Sequence, residues 1–347
     1  MTEKSPQIVS GLALLGEELA PEKADIIIEH GTITAIEENP RAPQLWICPA
    51  LFNAHTHLGD TIAMDCGATG DLVSLVTPPD GLKHRLLRAA PRADLVAGMR
   101  ASMEGMIASG TAGCADFREG GPGGVAMLRD AGADLPFHAM AFGRDGGELV
   151  ADGLGVSSAR DVAGVERIVA EAKKAGKKVA FHAGERDAGD VDAALSFDPD
   201  FIVHGTHATK KQLRTCAEKG IPIVICPRSN WRLGVTASAK KPPVMLMQEL
   251  GCTVWLGTDN VMFVPPDLGG EMAFVSTLYK TDPAGILRSA VAGSVLTGSP
   301  FFIRPGARAR LRIIDPEQNT LKFSHDPVTS LVIRAPFSCR GTRVFNS

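Results

Sequence analysis

The stretch Pro49-Ala50-Leu51-Phe52-Asn53-Ala54-His55-Thr56-His57 decides the fold and points to the chemistry. It predicts a buried strand that ends in two histidines. Side chains two residues apart on a strand point to the same face, so His55 and His57 project together from the C-terminal end. Two imidazoles in this arrangement can share one metal ion, although a His-x-His pair alone also fits surface or hydrogen-bonded core histidines.

One succession of sequence patterns repeats along residues 46–296: a short buried run, a polar turn and then a helical pattern. The best helical patterns cover residues 94–109, 161–175 and 209–219, and each is followed by a glycine. We therefore predict an α/β fold, a (β/α)8 TIM barrel. The fourth strand, residues 149–157, is the least regular because Asp152, Gly153 and Gly155 interrupt it. The eight predicted strands end at His57, Asp116, Phe142, Ser157, His182, His204, Pro227 and Asp259.

The sequence patterns at both ends of the chain predict β-structure outside the barrel. Near the N-terminus the candidate strands are residues 8–15, 24–29 and 32–37, and near the C-terminus they are 309–314, 321–323 and 330–333. We expect residues 1–47 plus 300–347 to form one small β-sandwich domain, beside a barrel hydrolase domain of residues 48–299.

Composition excludes several classes of protein. The 347 residues are 44% hydrophobic, and 36 basic residues against 39 acidic ones give a net charge of -3. Nucleic-acid and membrane partners are therefore not expected. No apolar leader follows Met1, and the seven cysteines contain no Cys-x-x-Cys pair. We expect a cytoplasmic protein with reduced cysteines.

Three further strand ends carry groups that bind metals or protons. His182 and Glu185 follow the fifth strand, His204 follows the sixth and Asp259 the eighth. Active sites of barrels lie at this face. With His55 and His57, the set offers nitrogen and oxygen donors that suit Zn²⁺ or Fe²⁺ and leave a position for water. Unpaired burial of such groups would cost several kcal/mol, which argues against coincidence.

These motifs together resemble the amidohydrolase superfamily of metal-dependent hydrolases. The similarity is to its mononuclear branch, which includes cytosine, guanine and adenosine-type deaminases, chlorohydrolases and imidazolonepropionase. It spans nearly the whole chain. The segments that carry it are residues 24–33, 49–57, 110–111, 182–185, 204, 226–230 and 257–259.

The resemblance implies a role for each polar strand end. His55, His57, His182 and Asp259 would ligate one divalent metal, with Zn²⁺ expected and Fe²⁺ the alternative. The metal would lower the pKa of a bound water, giving a hydroxide that attacks a carbon–nitrogen centre. Glu185 would protonate a ring nitrogen, His204 would polarise the attacked centre or hold the hydroxide, and Asp259 would relay the proton to the leaving group.

Two departures from related patterns narrow the prediction. The zinc signature of cytidine deaminases is missing, so deamination here belongs to a different fold. Relatives with two metals bridge them with a carboxylated lysine at the fourth strand, and residues 149–157 contain no lysine. One metal is therefore expected. His207, three residues after His204, is interpreted as a structural residue or one that supports a ligand.

Substrate recognition is inferred from polar residues that follow the second, third and seventh strands. Arg118, Arg144, Arg228 and Asn230 could converge on a carboxylate, phosphate or ring carbonyl. The alternative is that acids such as Glu119 pair with the arginines in salt bridges. We expect a small heterocyclic substrate that carries an anionic group.

Three functions remain open. Deamination of a nucleobase-like heterocycle leads, hydrolytic opening of a cyclic amide is the alternative in the same fold, and a catalytically silent binding barrel is the alternative from another class. The long segment 58–93 could cover the barrel or meet a second copy in a homo-oligomer.

Overall fold

A computed structural model describes residues 5–66, 70–318 and 320–334, together with the backbone of 343–346. Its strands are β1 Gln7–Leu15, β2 Ala20–Glu29, β3 Thr32–Glu38, β4 Trp46–Pro49, β5 Leu51–His57, β6 Thr111–Arg118, β7 His138–Gly143, β8 Gly153–Val156, β9 Lys178–Ala183, β10 Phe201–His204, β11 Ile223–Ile225, β12 Val254–Leu256, β13 Asp259–Asn260, β14 Arg310–Ile314 and β15 Arg343–Asn346.

The α-helices lie mostly between the strands of the second sheet. They are α1 Leu72–Val76, α2 Leu82–Ala89, α3 Arg92–Ala108, α4 Gly121–Gly132, α5 Val165–Lys174, α6 Gly189–Leu195, α7 Lys210–Lys219, α8 Pro227–Arg232, α9 Val244–Glu249, α10 Leu268–Tyr279, α11 Pro283–Ala292 and α12 Pro327–Ile333. Within the described ranges, no helix is long and apolar enough to span a membrane.

The larger sheet is parallel and curled, with nine strands in the order β12-β11-β10-β9-β8-β7-β6-β5-β13. Only Gly257 and Thr258 separate β12 at one end from β13 at the other. Gly257 donates its N–H to Ile225 O at 3.0 Å, and Thr258 donates to His55 O at 2.9 Å. These two residues therefore contact strands from opposite ends of the order, so the sheet curls until its ends meet.

Glycines in β8 explain why its sequence pattern is irregular. A Cβ at Gly153 would lie 2.6 Å from the Phe142 ring, and one at Gly155 would lie 2.7 Å from the Phe117 ring. The two phenylalanines stack with centroids 5.2 Å apart inside the curled sheet. The two glycines of β8 thus leave space that the rings of Phe117 and Phe142 fill.

Both chain ends build a single six-stranded sheet in the order β15-β14-β4-β1-β2-β3. The segment before β14 returns to the far edge of this sheet: Ile33 N–H donates to Ala307 O at 2.8 Å, and Ala309 N–H donates to Gly31 O at 2.9 Å. A separate core that includes Ile26, Ile47 and Leu311 is associated with these strands. A second sheet facing it is not found in the described parts of the chain, so the predicted β-sandwich is not confirmed.

Two of the C-terminal strand predictions are wrong. Residues 320–323 form a 3₁₀ turn, and 327–333 form α12. The Asp326 side chain accepts a hydrogen bond from Val328 N–H at 3.0 Å, and Pro327 occupies the first helical turn. This capping residue followed by proline starts a helix regardless of the β-branched residues that come after it.

The helix predictions are confirmed in place and differ at their N-termini. The helix over 210–219 begins after Thr209, which makes a reciprocal capping box with Gln212, and ends at Gly220 in a left-handed conformation. The helix predicted to start at Asp94 instead begins at Arg92 after Pro91. The helix predicted from residue 161 begins only at Val165.

Candidate active site

Three histidines and one aspartate converge at the carboxyl end of the curled sheet. The ring centroid of His55 lies 5.0 Å from the ring centroid of His57 and 4.9 Å from that of His182. Asp259 Oδ1 lies 3.2 Å from His55 Nε2 and 3.5 Å from His57 Nε2. The potential ligand atoms form two groups that share His55, each with all atoms within 4.8 Å of one another: His55, His57 and His182, and His55, His204 and Asp259. The structure thus brings the four predicted ligands close to one another, with His204 among them.

Asn53 fixes the backbone at which the sheet closes. Its Nδ2 donates to Thr258 Oγ1 at 2.7 Å, and its Oδ1 accepts from Thr258 N–H at 3.1 Å. Asn53 is fully buried and lies two residues before His55 on the same strand. Its partner Thr258 directly precedes Asp259. A single buried side chain therefore sets the register between two of the candidate ligands.

Hydrogen bonds orient the other candidate groups. His182 Nδ1 lies 2.9 Å from Val156 O, so Nδ1–H donates to this carbonyl oxygen and Nε2 keeps a free lone pair that can bind a metal. Asp259 Oδ2 accepts from Ser229 Oγ at 2.6 Å, which leaves Oδ1 turned toward the imidazoles. Sequence reasoning missed Ser229, whose neighbours Arg228 and Asn230 were singled out instead.

The imidazoles are neutral at ordinary pH. Burial lowers the pKa of His55 to about 4 and that of His57 to about 3, and it lowers the pKa of His182 as well. Burial would raise the pKa of Asp259, but its hydrogen bond to His55 holds that pKa well below the usual range. Three neutral nitrogen donors and one carboxylate make a set that suits a divalent ion.

Glu185 and His204 lie beside this cluster. Glu185 Oε2 is 3.7 Å from His204 Nε2, and burial raises the pKa of the Glu185 carboxyl. His204 Nδ1 lies 3.1 Å from Asn230 Oδ1. His204 and Asp259 both have positive φ angles, 77° and 61°, which non-glycine residues rarely adopt. Such backbone strain concentrates at functional sites.

A cavity of about 470 Å³ opens over these groups. One wall comes from the segment that contains α1 and α2, through Leu72, Val76 and Pro79. The opposite wall follows β8 and α5, through Val156 and Ile168. The cavity therefore combines apolar walls with polar groups at its base, as small-molecule sites do.

The residues predicted to bind substrate are spread over different places, and only Arg144 lines the cavity. Arg118 is buried against Glu119 at 2.6 Å and Asp116 at 3.3 Å. Arg228 pairs through Nε with the fully buried Glu271 at 2.6 Å. The salt-bridge alternative thus describes these two arginines, and it also applies to Arg144, whose Nη2 lies 3.2 Å from Glu119 Oε1.

Two further polar predictions are located away from the cavity floor. Asn230 holds His204 and donates to Thr206 Oγ1. His207 lies between Lys241 Nζ at 2.7 Å and Val235 O at 3.3 Å, apart from the metal-capable cluster. Cys114 and Cys226 are buried with raised pKa values caused by burial, and Cys339 is outside the described residues.

Comparison with known proteins shows which family this chain resembles. The model of the family described as adenosine deaminase matches residues 140–296. A provisionally named aminohydrolase of Methanothermobacter thermautotrophicus is 34% identical over 94% of both chains. A 5-methylthioadenosine/S-adenosylhomocysteine deaminase of Halobacterium salinarum is 26% identical over 94% of this chain and 88% of its own length.

Solved structures share the fold at low sequence identity. A zinc-bound adenosine deaminase from Xanthomonas campestris has a TM-score of 0.74 at 17% identity, covering 98% of this chain and 91% of its own. The zinc-complexed atrazine chlorohydrolase TrzN of Arthrobacter aurescens TC1 has a TM-score of 0.75 at 17% identity, covering 94% and 91%. This chain belongs to the amidohydrolase superfamily, among its aminohydrolases and deaminases. It is a hydrolase of carbon–nitrogen bonds.

Proposed function

We propose that the protein is a metal-dependent hydrolase that removes an amino group from a small heterocycle of the nucleobase type. The observation that carries this is the convergence of His55, His57, His182 and Asp259 beside Glu185 and His204. The related enzymes named above as deaminases support the same reaction. Water adds to the carbon that bears the amino group, and ammonia leaves.

The donor set fits one divalent ion, for which we propose Zn²⁺. His55 Nε2 and His57 Nε2 both face Asp259 Oδ1, and His182 keeps Nε2 free because Val156 O holds its other nitrogen. A divalent ion held by these groups supplies Lewis acidity, which activates water for attack on carbon. The zinc-bound structures with the same fold support this choice.

The surrounding side chains divide the proton transfers. Glu185 keeps its proton to a higher pH than an ordinary carboxyl because it is buried, so it can protonate a ring nitrogen as the attacked carbon becomes tetrahedral. His204, which is hydrogen-bonded to Asn230, lies beside Glu185 and polarises the attacked carbon centre. Asp259 accepts the proton of the attacking water and passes it to the departing amine.

Arg144 is our candidate for binding an anionic group of the substrate. It lines the cavity and its side chain is 11% exposed. Its Nη2 pairs with Glu119 Oε1 at 3.2 Å, while its Nε has no hydrogen-bond partner in the described residues. Arg118, Arg228 and Asn230 act from behind the cavity wall in this proposal. We also propose that residues 48–299 form the catalytic domain, and that residues 1–47 plus 300–347 form a supporting one.

Ammonia release tests the proposal. Zinc-loaded protein should release ammonia from at least one aminated purine, pyrimidine or triazine in a panel, and Glu185→Gln should lower kcat by about 10²-fold or more. Arg144→Met should raise KM for an anionic substrate in the same assay. Ring opening without ammonia would replace deamination by cyclic-amide hydrolysis. Turnover that Glu185→Gln leaves unchanged would contradict the assigned roles.

A further inference from the structure

Glu119 lies at the centre of a buried group of charges beside the candidate metal site. Its Oε1 is 2.9 Å from His57 Nδ1, 2.9 Å from Lys83 Nζ and 3.2 Å from Arg144 Nη2. Its Oε2 accepts from Arg118 at 2.6 Å. Glu119 is 9% exposed, so its charge is balanced by these side chains and not by bulk water.

The contact with His57 matters because of which nitrogen it involves. Nδ1 faces Glu119, while Nε2 faces Asp259 Oδ1 at 3.5 Å. The negative charge of Glu119, 2.9 Å from Nδ1, favours the tautomer with the proton on Nδ1, and this tautomer leaves the lone pair on Nε2. Partners of this kind typically change metal affinity or activity by about 10- to 100-fold when they are removed.

Lys83 reaches Glu119 from outside the curled sheet. It belongs to α2, is 2% exposed, and also contacts Asp60 Oδ2 at 3.0 Å. Asp60 is on the 3₁₀ turn directly after β5, the strand that carries His57. The buried Lys83 ammonium is thus paired with Glu119 and Asp60, and these contacts hold α2 against the candidate metal site.

The same segment forms a wall of the cavity. Lys83 lines it together with Leu72, Val76, Thr77 and Pro79, which come from α1 and the turn before α2. The chain from the cavity wall to the metal ligand is therefore continuous: α2, Lys83, Glu119 and His57.

We propose that Glu119 is a positioning residue for His57, and that Lys83 couples this positioning to the α1–α2 wall of the cavity. The inference rests on the proposed metal site. It goes further, because it makes the conformation of the substrate-binding wall a determinant of metal affinity. Neither residue needs to touch the substrate for this effect.

Zinc affinity and the visible spectrum of the cobalt-substituted protein test the inference without any turnover. The informative variants are Glu119→Gln and the double variant Asp60→Asn, Lys83→Met, which removes Lys83 without leaving Asp60 as an unpaired buried charge. Each should weaken zinc binding by about tenfold or more and alter the cobalt spectrum. Lys83→Arg, which keeps both the charge and its partner Asp60, should bind zinc more tightly than the double variant does.

Lys178→Met is the matched control. Lys178 is also an ion-paired lysine, but it lies at the N-terminal end of β9, the end away from His182. This variant should bind zinc as the parent does. Parental zinc affinity and cobalt spectrum in both Glu119→Gln and the double variant would overturn the inference while leaving the metal site intact. A parent that binds neither ion would instead remove the proposed function on which the inference rests.

Discussion

The candidate ligands are histidines held in their neutral form by burial. A surface imidazole has a pKa near 6.5 and loses metals in mild acid, because protons and metal ions compete for the same lone pair. Burial lowers the pKa of His55 to about 4 and that of His57 to about 3. Competition from protons is thereby moved to a more acidic range.

Zinc affinity should consequently change little between about pH 7.5 and about pH 5.5. Both pKa values lie below this window and that of Asp259 is lowered too, so the folded apoprotein holds these groups ready to bind throughout. Affinity then falls once the pH approaches the lowered values. Competition with a chelator of known pH dependence measures this. A site with ordinary histidines would weaken by roughly tenfold per pH unit for each histidine below about pH 6.5, and that result would contradict the assigned burial effect.

Individual residues also show what sequence could and could not predict about the site. His55, His57, His182 and Asp259 were predictable because each stands where a buried run ends, and the pleat fixes the direction of its side chain. Glu119 and Lys83 were not, because their contact joins residues 36 positions apart through a loop whose path no local pattern encodes. Arg228 was misleading for a related reason: its partner Glu271 is distant in sequence.

At the scale of elements, the join between β12 and β13 holds the site together. Gly257 passes so close to β5 that a Cβ there would lie 2.8 Å from His55 Cβ and 2.9 Å from His55 N. The absence of a side chain lets the backbone of Thr258 hydrogen bond to β5 and places Asp259 beside the histidines. Close approach of two backbones is a position that glycine alone fills without strain.

Gly257→Ala should lower the free energy of unfolding by about 1–3 kcal/mol, since the added methyl group forces β12 and β13 away from β5. Denaturant unfolding of the metal-free protein measures this. Gly105→Ala is the matched control: Gly105 is in α3, and a methyl group added there would meet no atom within 4 Å, so it should gain about 0.5–1 kcal/mol of helix stability. Equal stability of Gly257→Ala and the parent would show that β5 and the join are not tightly packed.

The type of an element was predictable where hydrophobic pattern, cap residues and glycines all favoured the same structure. The prediction was wrong where these local signals conflicted. The strand β5 and the capped helix α7 follow from hydrophobic pattern, cap residue and terminal glycine together. In α12 the β-branched residues favour a strand, but Asp326 and Pro327 start a helix, and the cap decides. The β-sandwich expectation is not confirmed, and here the observed pairing is long-range: residues 306–309 pair with the far edge of the same sheet, which strand patterns do not specify.

For the whole molecule, the curled sheet places its chemistry at one edge. Parallel strands carry their carboxyl ends to the same side, so ligands from β5, β9 and β13 meet although they are spread over more than half of the chain. The α1–α2 segment and the turns after β8 then enclose the cavity above them. The fold thus brings the candidate site residues together at one face of the sheet.

Metal content per chain shows directly whether the four candidate ligands hold one ion. Protein purified without chelator should contain about one zinc or iron ion per chain by inductively coupled plasma mass spectrometry, and a His55→Ala, His57→Ala variant should contain none, because two of the four proposed ligands are gone. Circular dichroism of the variant confirms that it is folded. A parent with no ion even after reconstitution with zinc, or a folded variant that retains the parental amount, would contradict the account.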